Sequence, residues 1–260
     1  MIRGYAMIRE AAAQVAAAAD QTVEALRDGR IEDEPHFTGR MLGRIEQAMN
    51  GFESRGVRWS AKSLTFSGRG SQESRVGADF AGVLSIELPE YRVHKGFLAQ
   101  AKRIEPGDPM DTRDWERMCG QCEDMLSLSP ASFVLLYSVA GITIVPAVSV
   151  LAATRMNPHA LYSRSAARFF EEHFSSFIGD RRISTPNFKT LEALAQEYRA
   201  RSALHLKGAA TKRLSNSPLD STGQTGREAV DKRRRGRWTG TSGSNEPAGG
   251  SDADVRPKRM

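Results

Sequence analysis

Three polar residues stand at the ends of two apolar runs in the middle of the chain. Asp79 opens the first run, and Gln100 and Lys102 follow the second. Two β-rich runs joined by a polar interruption predict a hairpin over residues 77–103. Alternate residues of a strand share a face, so Gln100 and Lys102 are expected on the same side of the second strand. If Asp79 lies on the neighbouring strand, a carboxylate, an amide oxygen and an ammonium group converge.

This combination of groups suits metal-assisted chemistry on a phosphate. Carboxylate and amide oxygens are hard ligands of the kind that Mg²⁺ prefers. A lysine beside them can orient or deprotonate a water molecule and offset developing negative charge. The alternative is a hairpin whose polar ends are simply exposed to solvent.

Three glutamates are candidates for a further metal ligand. Glu34 precedes the second predicted helix, Glu46 lies near the end of that helix, and Glu73 lies in the Gly-rich connection at residues 68–77. The alternative is a solvated surface acid for Glu34 and Glu46 and a loop residue for Glu73, because glutamates are mostly exposed. The residues by themselves leave the choice among the three open.

Apolar periodicity places the hairpin among further elements. The fully apolar run at residues 131–138 is typical of a strand that is buried on both faces. The Ala-rich helix at the N-terminus is expected either to cover one edge of the core or to serve in docking or dimerisation. The predicted helices are at residues 7–30, 37–50, 111–128, 147–154, 160–179 and 187–202, and the further strands are around residues 64–66, at 131–138 and at 142–145.

The charge is unevenly distributed along the 260 residues. Residues 1–204 carry 25 basic and 25 acidic side chains, whereas residues 205–260 carry 12 and 6, which accounts for the whole net charge of +6. From Gly208 onward Ser, Gly, Thr, Pro and charged residues dominate, a composition typical of disorder. The basic run at residues 232–238 is expected either to contact nucleic acid through phosphates or to act as a solubilising tail.

The remaining composition favours a soluble, cytoplasmic protein. The N-terminus lacks the layout of a signal peptide, and no apolar run approaches the ~18 residues of a spanning helix. The two cysteines, Cys119 and Cys122, lie three residues apart in a predicted helix. We expect them to be core residues; a metal or redox role is the alternative.

The order of these elements resembles a known family. A helix, a strand, a strand headed by Asp79, a strand ending in Gln100-Ala101-Lys102, a helix and an apolar strand resemble the PD-(D/E)XK nuclease superfamily, and the Q-x-K motif resembles Mrr-type restriction endonucleases. The resemblance covers residues 31–150. It implies an α/β fold with a restriction-endonuclease-like α-β-β-β-α-β core and a mixed sheet flanked by helices. The expected division is an N-terminal helix at 1–30, the core at 31–154, a helical extension at 155–207 and a disordered basic tail at 208–260.

The resemblance also implies an activity, namely Mg²⁺- or Mn²⁺-dependent hydrolysis of phosphodiester bonds in DNA, with restriction or defence against foreign DNA as its setting. Asp79, Gln100 and Glu34 would bind the metal, with Glu34 preferred because it sits where a helix begins. Gln100 stands in place of the usual acid and would be a weaker, neutral ligand. Lys102 would position the attacking water or stabilise the transition state.

The expected partners are DNA and, in addition, a protein partner or a second copy of the chain; no membrane is expected. The alternative function is a catalytically impaired protein of the same fold that binds nucleic acid or a protein partner.

Overall fold

The chain forms an α/β structure with an eight-stranded mixed sheet flanked by helices. The computed structural model describes residues 4–31, 33–66, 78–154 and 157–211. Glu73 and the basic run at residues 232–238 therefore lie outside the described residues. The helices are α1 (Gly4–Arg27), α2 (Glu34–Met49), α3 (Thr112–Leu128), α4 (Ala147–Leu151), α5 (Ala166–Phe174) and α6 (Leu191–Glu197). The strands are β1 (Glu53–Ser54), β2 (Val57–Thr65), β3 (Phe80–Leu88), β4 (Tyr91–Arg103), β5 (Ser132–Ser138), β6 (Gly141–Pro146), β7 (Arg164–Ser165) and β8 (Ser202–Ala210).

The predicted hairpin is present as β3 and β4. These strands pair antiparallel from Phe80 opposite Ala99 to Leu88 opposite Tyr91. The order across the sheet is β1-β2-β8-β3-β4-β5-β6-β7. β4 pairs parallel with β5 and β3 pairs parallel with β8, whereas the other neighbours are antiparallel. The predicted strand at residues 131–138 is confirmed as β5, in which every residue is buried.

Strand β8 was not predicted. The sequence favoured a helix through residue 202 and a disordered tail from Gly208, but the helix α6 ends at Glu197 and Gly208 lies within β8. Ala, Lys and Gly are weak strand formers, so the local signal was poor. β8 forms because β2 and β3 pair with it on both sides. The expected helical extension at 155–207 therefore contains most of a central strand.

The bounds of α2 and α5 also differ from those predicted. α2 begins three residues earlier than predicted, because Asp33 accepts a hydrogen bond from the His36 backbone N–H and Pro35 is tolerated in the first turn. α5 occupies only the middle of the predicted helix at 160–179. The residues before it form a short 3₁₀ turn and β7, and Phe177 beyond it is 79% exposed.

The sheet separates two apolar cores. Side chains from α1, α2 and α5 fill one of them, and side chains from α3, α4 and α6 fill the other. α1 packs against α2 and α5, and many of its alanines, including Ala11 and Ala25, are fully buried. It is therefore a core helix within the described structure. Small side chains allow this close approach between helices.

The two cysteines fit the expectation of core residues in part. Cys122 is fully buried, whereas Cys119 is half-buried at the edge of the same core. Burial raises the pKa of the Cys122 thiol to about 12 and also raises the pKa of Cys119. Such thiols are poor nucleophiles.

No helix in the described part of the chain is long and apolar enough to cross a membrane.

Two glycines with opposite surroundings test the packing of the hairpin. A Cβ at Gly96 in β4 would lie 2.5 Å from the Gly82 carbonyl oxygen and 2.5 Å from Ile183 Cγ2, whereas a Cβ at Gly43 in α2 would meet nothing within 4 Å. We expect Gly96→Ala to lower the free energy of unfolding by about 1–3 kcal/mol through overpacking. Gly43→Ala should raise it by about 0.5–1 kcal/mol through helix propensity.

Urea unfolding of both variants beside the wild type measures these effects. Equal stability of Gly96→Ala and the wild type would contradict the close approach of β3, β4 and the segment around Ile183.

Candidate active site

The predicted site residues lie at one edge of the sheet. Asp79 immediately precedes β3, and Gln100 and Lys102 lie near the end of β4. Because β3 and β4 are antiparallel, the start of one strand and the end of the other meet at the same edge. Glu34 is the first residue of α2 and reaches this edge from the side of the first apolar core.

Asp79 is buried, with 8% of its surface exposed, and its carboxylate is bound to β4. The oxygen Oδ2 accepts hydrogen bonds from Gln100 Nε2 and, at 2.8 Å, from the Ala101 backbone N–H. The other oxygen, Oδ1, lies 3.7 Å from Nη1 of Arg201. One oxygen is thus held in place and the other faces cationic surroundings.

Electrostatic effects on Asp79 identify its neighbours. Burial raises the pKa of Asp79, and the nearby carboxylate of Glu34 adds to this rise. The Ala101 N–H, the Arg201 guanidinium and the Lys102 ammonium lower the pKa and partly compensate. These three groups already favour the charged form of the buried carboxylate. A divalent cation bound beside it would stabilise the charged form further.

The amide of Gln100 has one free end. Its nitrogen donates to Asp79, whereas Oε1 is buried and has no hydrogen-bond partner among the described residues. A buried polar atom without a partner is costly and is often explained by a ligand. The amide thus contacts Asp79 through its nitrogen, and the oxygen that was predicted to be a metal ligand is the end without a partner.

Lys102 and Glu34 form the second half of the cluster. Lys102 Nζ lies 3.4 Å from Glu34 Oε2, and the Arg103 backbone N–H donates to Glu34 Oε1 at 3.2 Å. The side chain of Lys102 is 14% exposed and that of Glu34 is 33% exposed. These contacts join the start of α2 to the end of β4 and bring Glu34 towards the predicted site.

Glu46, the other described glutamate candidate, bonds to a different strand. Glu46 accepts hydrogen bonds from the backbone N–H of Ser63, at 2.8 Å, and from its hydroxyl, so its carboxylate joins α2 to β2. Glu73 lies outside the described residues. Of the two described candidates, Glu34 is the one in contact with Lys102.

Arg201 is the residue at this edge that sequence reasoning missed. It directly precedes β8 and lay within a segment that was predicted to be helical. Neither its type nor its spacing from Asp79 marked it. The alternation of Leu204 and Leu206 with His205 and Lys207 is the signal that could have predicted a strand here.

The groups at this edge fit a hard divalent cation. Asp79 Oδ1, Gln100 Oε1 and Glu34 supply two carboxylates and one amide oxygen, the ligand types that suit Mg²⁺ and Mn²⁺. The described residues contain no group of three His, Cys, Asp or Glu side chains that could hold a metal. The fit therefore depends on the glutamine as a third, neutral ligand, as the motif predicts.

Comparisons with known proteins leave the family assignment as a resemblance in motif and element order. No family model matches the chain, and neither the curated proteins nor the solved structures contain a match. The evidence for any function is therefore the geometry of the candidate site itself.

Two aspartates in opposite environments test the electrostatics of the site. Because the folded state raises the pKa of Asp79, its charged form costs stability once the pH rises above the unfolded value. We therefore expect Asp79→Asn to raise the free energy of unfolding near pH 7 in the absence of divalent cations. Urea unfolding at pH 7 in EDTA measures this gain.

Asp180 is the matched control. Hydrogen bonds from Arg182 hold its pKa at about 2, so its charged form stabilises the fold above the unfolded pKa. Asp180→Asn should lower the free energy of unfolding by about 1–3 kcal/mol at pH 7, as is usual when a charge-assisted hydrogen bond is lost. A loss of stability in Asp79→Asn as large as in Asp180→Asn would show that the ionised Asp79 carboxylate is structural.

Proposed function

We propose that the chain is a metal-dependent nuclease that hydrolyses phosphodiester bonds in DNA. The observation that carries this proposal is the convergence of Asp79, Gln100, Lys102 and Glu34 at the end of the β3–β4 hairpin. Two acids, a free amide oxygen and a lysine are the parts that such hydrolysis needs. The setting in restriction or defence rests on the resemblance alone.

The proposed fold is a restriction-endonuclease-like core. Apart from the two-residue strand β1 after α2, the order is helix α2, strands β2, β3 and β4, helix α3 and strand β5, which is the α-β-β-β-α-β order. The last strand, β5, lies parallel to β4 beside the candidate site. The departure from a simple meander is β8, which is inserted between β2 and β3.

Hydrolysis in this site would form a bond between a water oxygen and phosphorus and break one P–O ester bond. A proton passes from the attacking water through solvent to the leaving oxygen, so the products are a phosphomonoester and a hydroxyl. Asp79, Gln100 and Glu34 would hold Mg²⁺ or Mn²⁺, which when bound neutralises phosphate charge and makes a bound water more acidic. Lys102 stands beside these ligands, where its ammonium can orient water and offset charge that develops on the phosphate.

Glu34 compensates for the neutral residue at position 100. Replacing an acid by Gln100 removes one negative charge from the expected ligand set. The carboxylate of Glu34 lies near enough to Asp79 to raise the pKa of Asp79, so the ligand set still contains two carboxyl groups. This second carboxylate supports a site that binds a divalent cation.

A catalytically impaired nucleic-acid- or partner-binding protein is the second candidate. It is favoured by the existing partners of the key residues: Oδ2 of Asp79 already accepts two hydrogen bonds, and Lys102 is paired with Glu34. Under this proposal the chain binds its partner without metal-dependent cleavage.

Cleavage of a supercoiled plasmid with Mg²⁺ tests the first proposal. Wild type should nick or linearise the plasmid, and Asp79→Asn and Lys102→Ala should each lose at least about 100-fold in rate, as when one transition-state contact is removed. Lys189→Ala removes an exposed lysine outside the cluster and should cleave as the wild type does.

Equal cleavage by the wild type and both site variants would mean a contaminating nuclease and would refute the proposal. No cleavage by any variant, with retained DNA binding, would support the second candidate. An RNA of the same sequence, assayed in parallel, decides between the two nucleic acids.

Stabilisation by metal tests the ligand set without an activity assay. At a metal concentration of about 100 times Kd, binding should stabilise the wild type by about 2.7 kcal/mol, a rise in Tm of about 5–10 °C. Glu34→Gln and Asp79→Asn should lose most of this rise. Glu46→Gln should keep it, because Glu46 bonds to Ser63 instead. Each shift is measured against the same variant in EDTA, and an unchanged shift in Glu34→Gln would exclude Glu34 as a ligand.

A further inference from the structure

Arg201 is held against the strand that carries the catalytic candidate Asp79. Its backbone N–H donates to the Ala78 carbonyl at 3.1 Å, and its carbonyl accepts from the Phe66 N–H at 3.0 Å. The next residue, Ser202, donates to the Asp79 carbonyl at 3.0 Å. The backbone at position 201 is therefore fixed between the end of β2 and the start of β3, which determines where the side chain begins.

The guanidinium of Arg201 is close to Asp79 but retains its hydrogen-bonding capacity. Nη1 lies 3.7 Å from Asp79 Oδ1, which is an ion pair and longer than a hydrogen bond. The side chain is 49% exposed and donates no hydrogen bond to the other described residues. By contrast, Arg182 donates to both oxygens of Asp180. As far as the described residues are concerned, the N–H donors of the Arg201 side chain are therefore available to a ligand.

Two cations flank the strand position of Asp79. β3 lies between β8 and β4 in the sheet, so Arg201 approaches from one neighbouring strand and Lys102 from the other. Both lower the pKa of Asp79, and Arg201 does so more strongly than Lys102. A phosphate that reaches this edge of the sheet would therefore meet one cation from each neighbouring strand.

We propose that Arg201 binds the non-bridging oxygens of the substrate phosphate and is a substrate-binding residue of the site. This inference rests on the proposed function, since it assigns the residue that receives the phosphate in that reaction. A guanidinium presents paired N–H groups that match two phosphate oxygens. Its half-exposed ion pair with Asp79 is weak, so the guanidinium can move from the carboxylate to an incoming phosphate.

A structural role for Arg201 predicts a different result. An arginine that merely neutralises Asp79 contributes to folding and leaves the salt dependence of DNA binding unchanged. An arginine that binds a DNA phosphate displaces a counterion from the DNA. Loss of this arginine therefore reduces the salt dependence of binding by the contribution of one phosphate contact. The two roles are separated by a binding measurement that needs no cleavage.

The experiment measures fluorescence anisotropy of a labelled DNA duplex with the full chain in EDTA, over a series of salt concentrations. Arg201→Gln should weaken binding about 5- to 20-fold and reduce the slope of log K against log salt by about 0.9. Arg201→Lys should keep the slope, because the charge is retained, and lose part of the affinity with the paired donors. The control Arg92→Gln, an exposed arginine at the other end of β4, should match the wild type.

The same variants in the plasmid assay with Mg²⁺ separate this inference from the proposed function. If the wild type cleaves and Arg201→Gln has the wild-type salt slope and kcat/KM, the assignment of Arg201 is wrong while the nuclease proposal stands. If the wild type binds but does not cleave and Arg201→Gln still loses the slope, the phosphate contact stands and the hydrolase proposal fails. Equal loss of slope in Arg92→Gln, or no DNA binding by the wild type, would overturn the assignment.

Discussion

The carboxylate of Asp79 is buried at a sheet edge and therefore needs hydrogen-bond donors. Among the described residues, two groups donate to it, and both belong to β4. The Ala101 N–H and the Gln100 amide bind the same oxygen of Asp79, so the start of β3 cannot shift relative to the end of β4 without exposing an unpaired acid. The backbone at Asp79 also accepts from Ser202, which connects β8 to the same point. Three strands therefore meet at one residue, and the candidate site is built around it.

The charges at this edge come in pairs from different elements. Asp79 faces Arg201, and Glu34 faces Lys102, so each of these four described charges has an opposite charge beside it. Such pairing offsets the cost of removing charges from water, although it does not make the pairs strongly stabilising. Both pairs are longer than close hydrogen bonds, at 3.7 and 3.4 Å. The cluster is thus neutral in sum but loosely held, which suits groups that exchange their partners for a cation and a phosphate.

Patterns in the sequence were sufficient to predict an element when the residues of that element by themselves form a clear apolar and polar pattern. The hairpin could be predicted because two apolar runs are separated by polar residues, and period-2 alternation then places Gln100 and Lys102 on one face. Asp33 and Pro35 mark the start of α2, although the apolar pattern predicted that this helix begins at Phe37. Glu34 therefore lies in the first turn of the helix and not before it, and the Arg103 backbone N–H and the Lys102 ammonium contact it there. The choice among the glutamates was beyond the sequence, because it depends on how α2 packs across the sheet.

The sequence by itself determined the α/β class, the hairpin and the three polar residues at its ends, since these depend on neighbours within about 25 positions along the chain. Only the tertiary structure decided that residues 202–210 form a central strand and that Arg201 stands beside Asp79. The physical reason is that a strand with weak intrinsic preference is stabilised by its partners: β8 contains Ala, Lys and Gly, and it is strand because β2 and β3 supply hydrogen bonds on both edges. More than 120 residues separate Arg201 from Asp79, and no pattern along the chain encodes that contact.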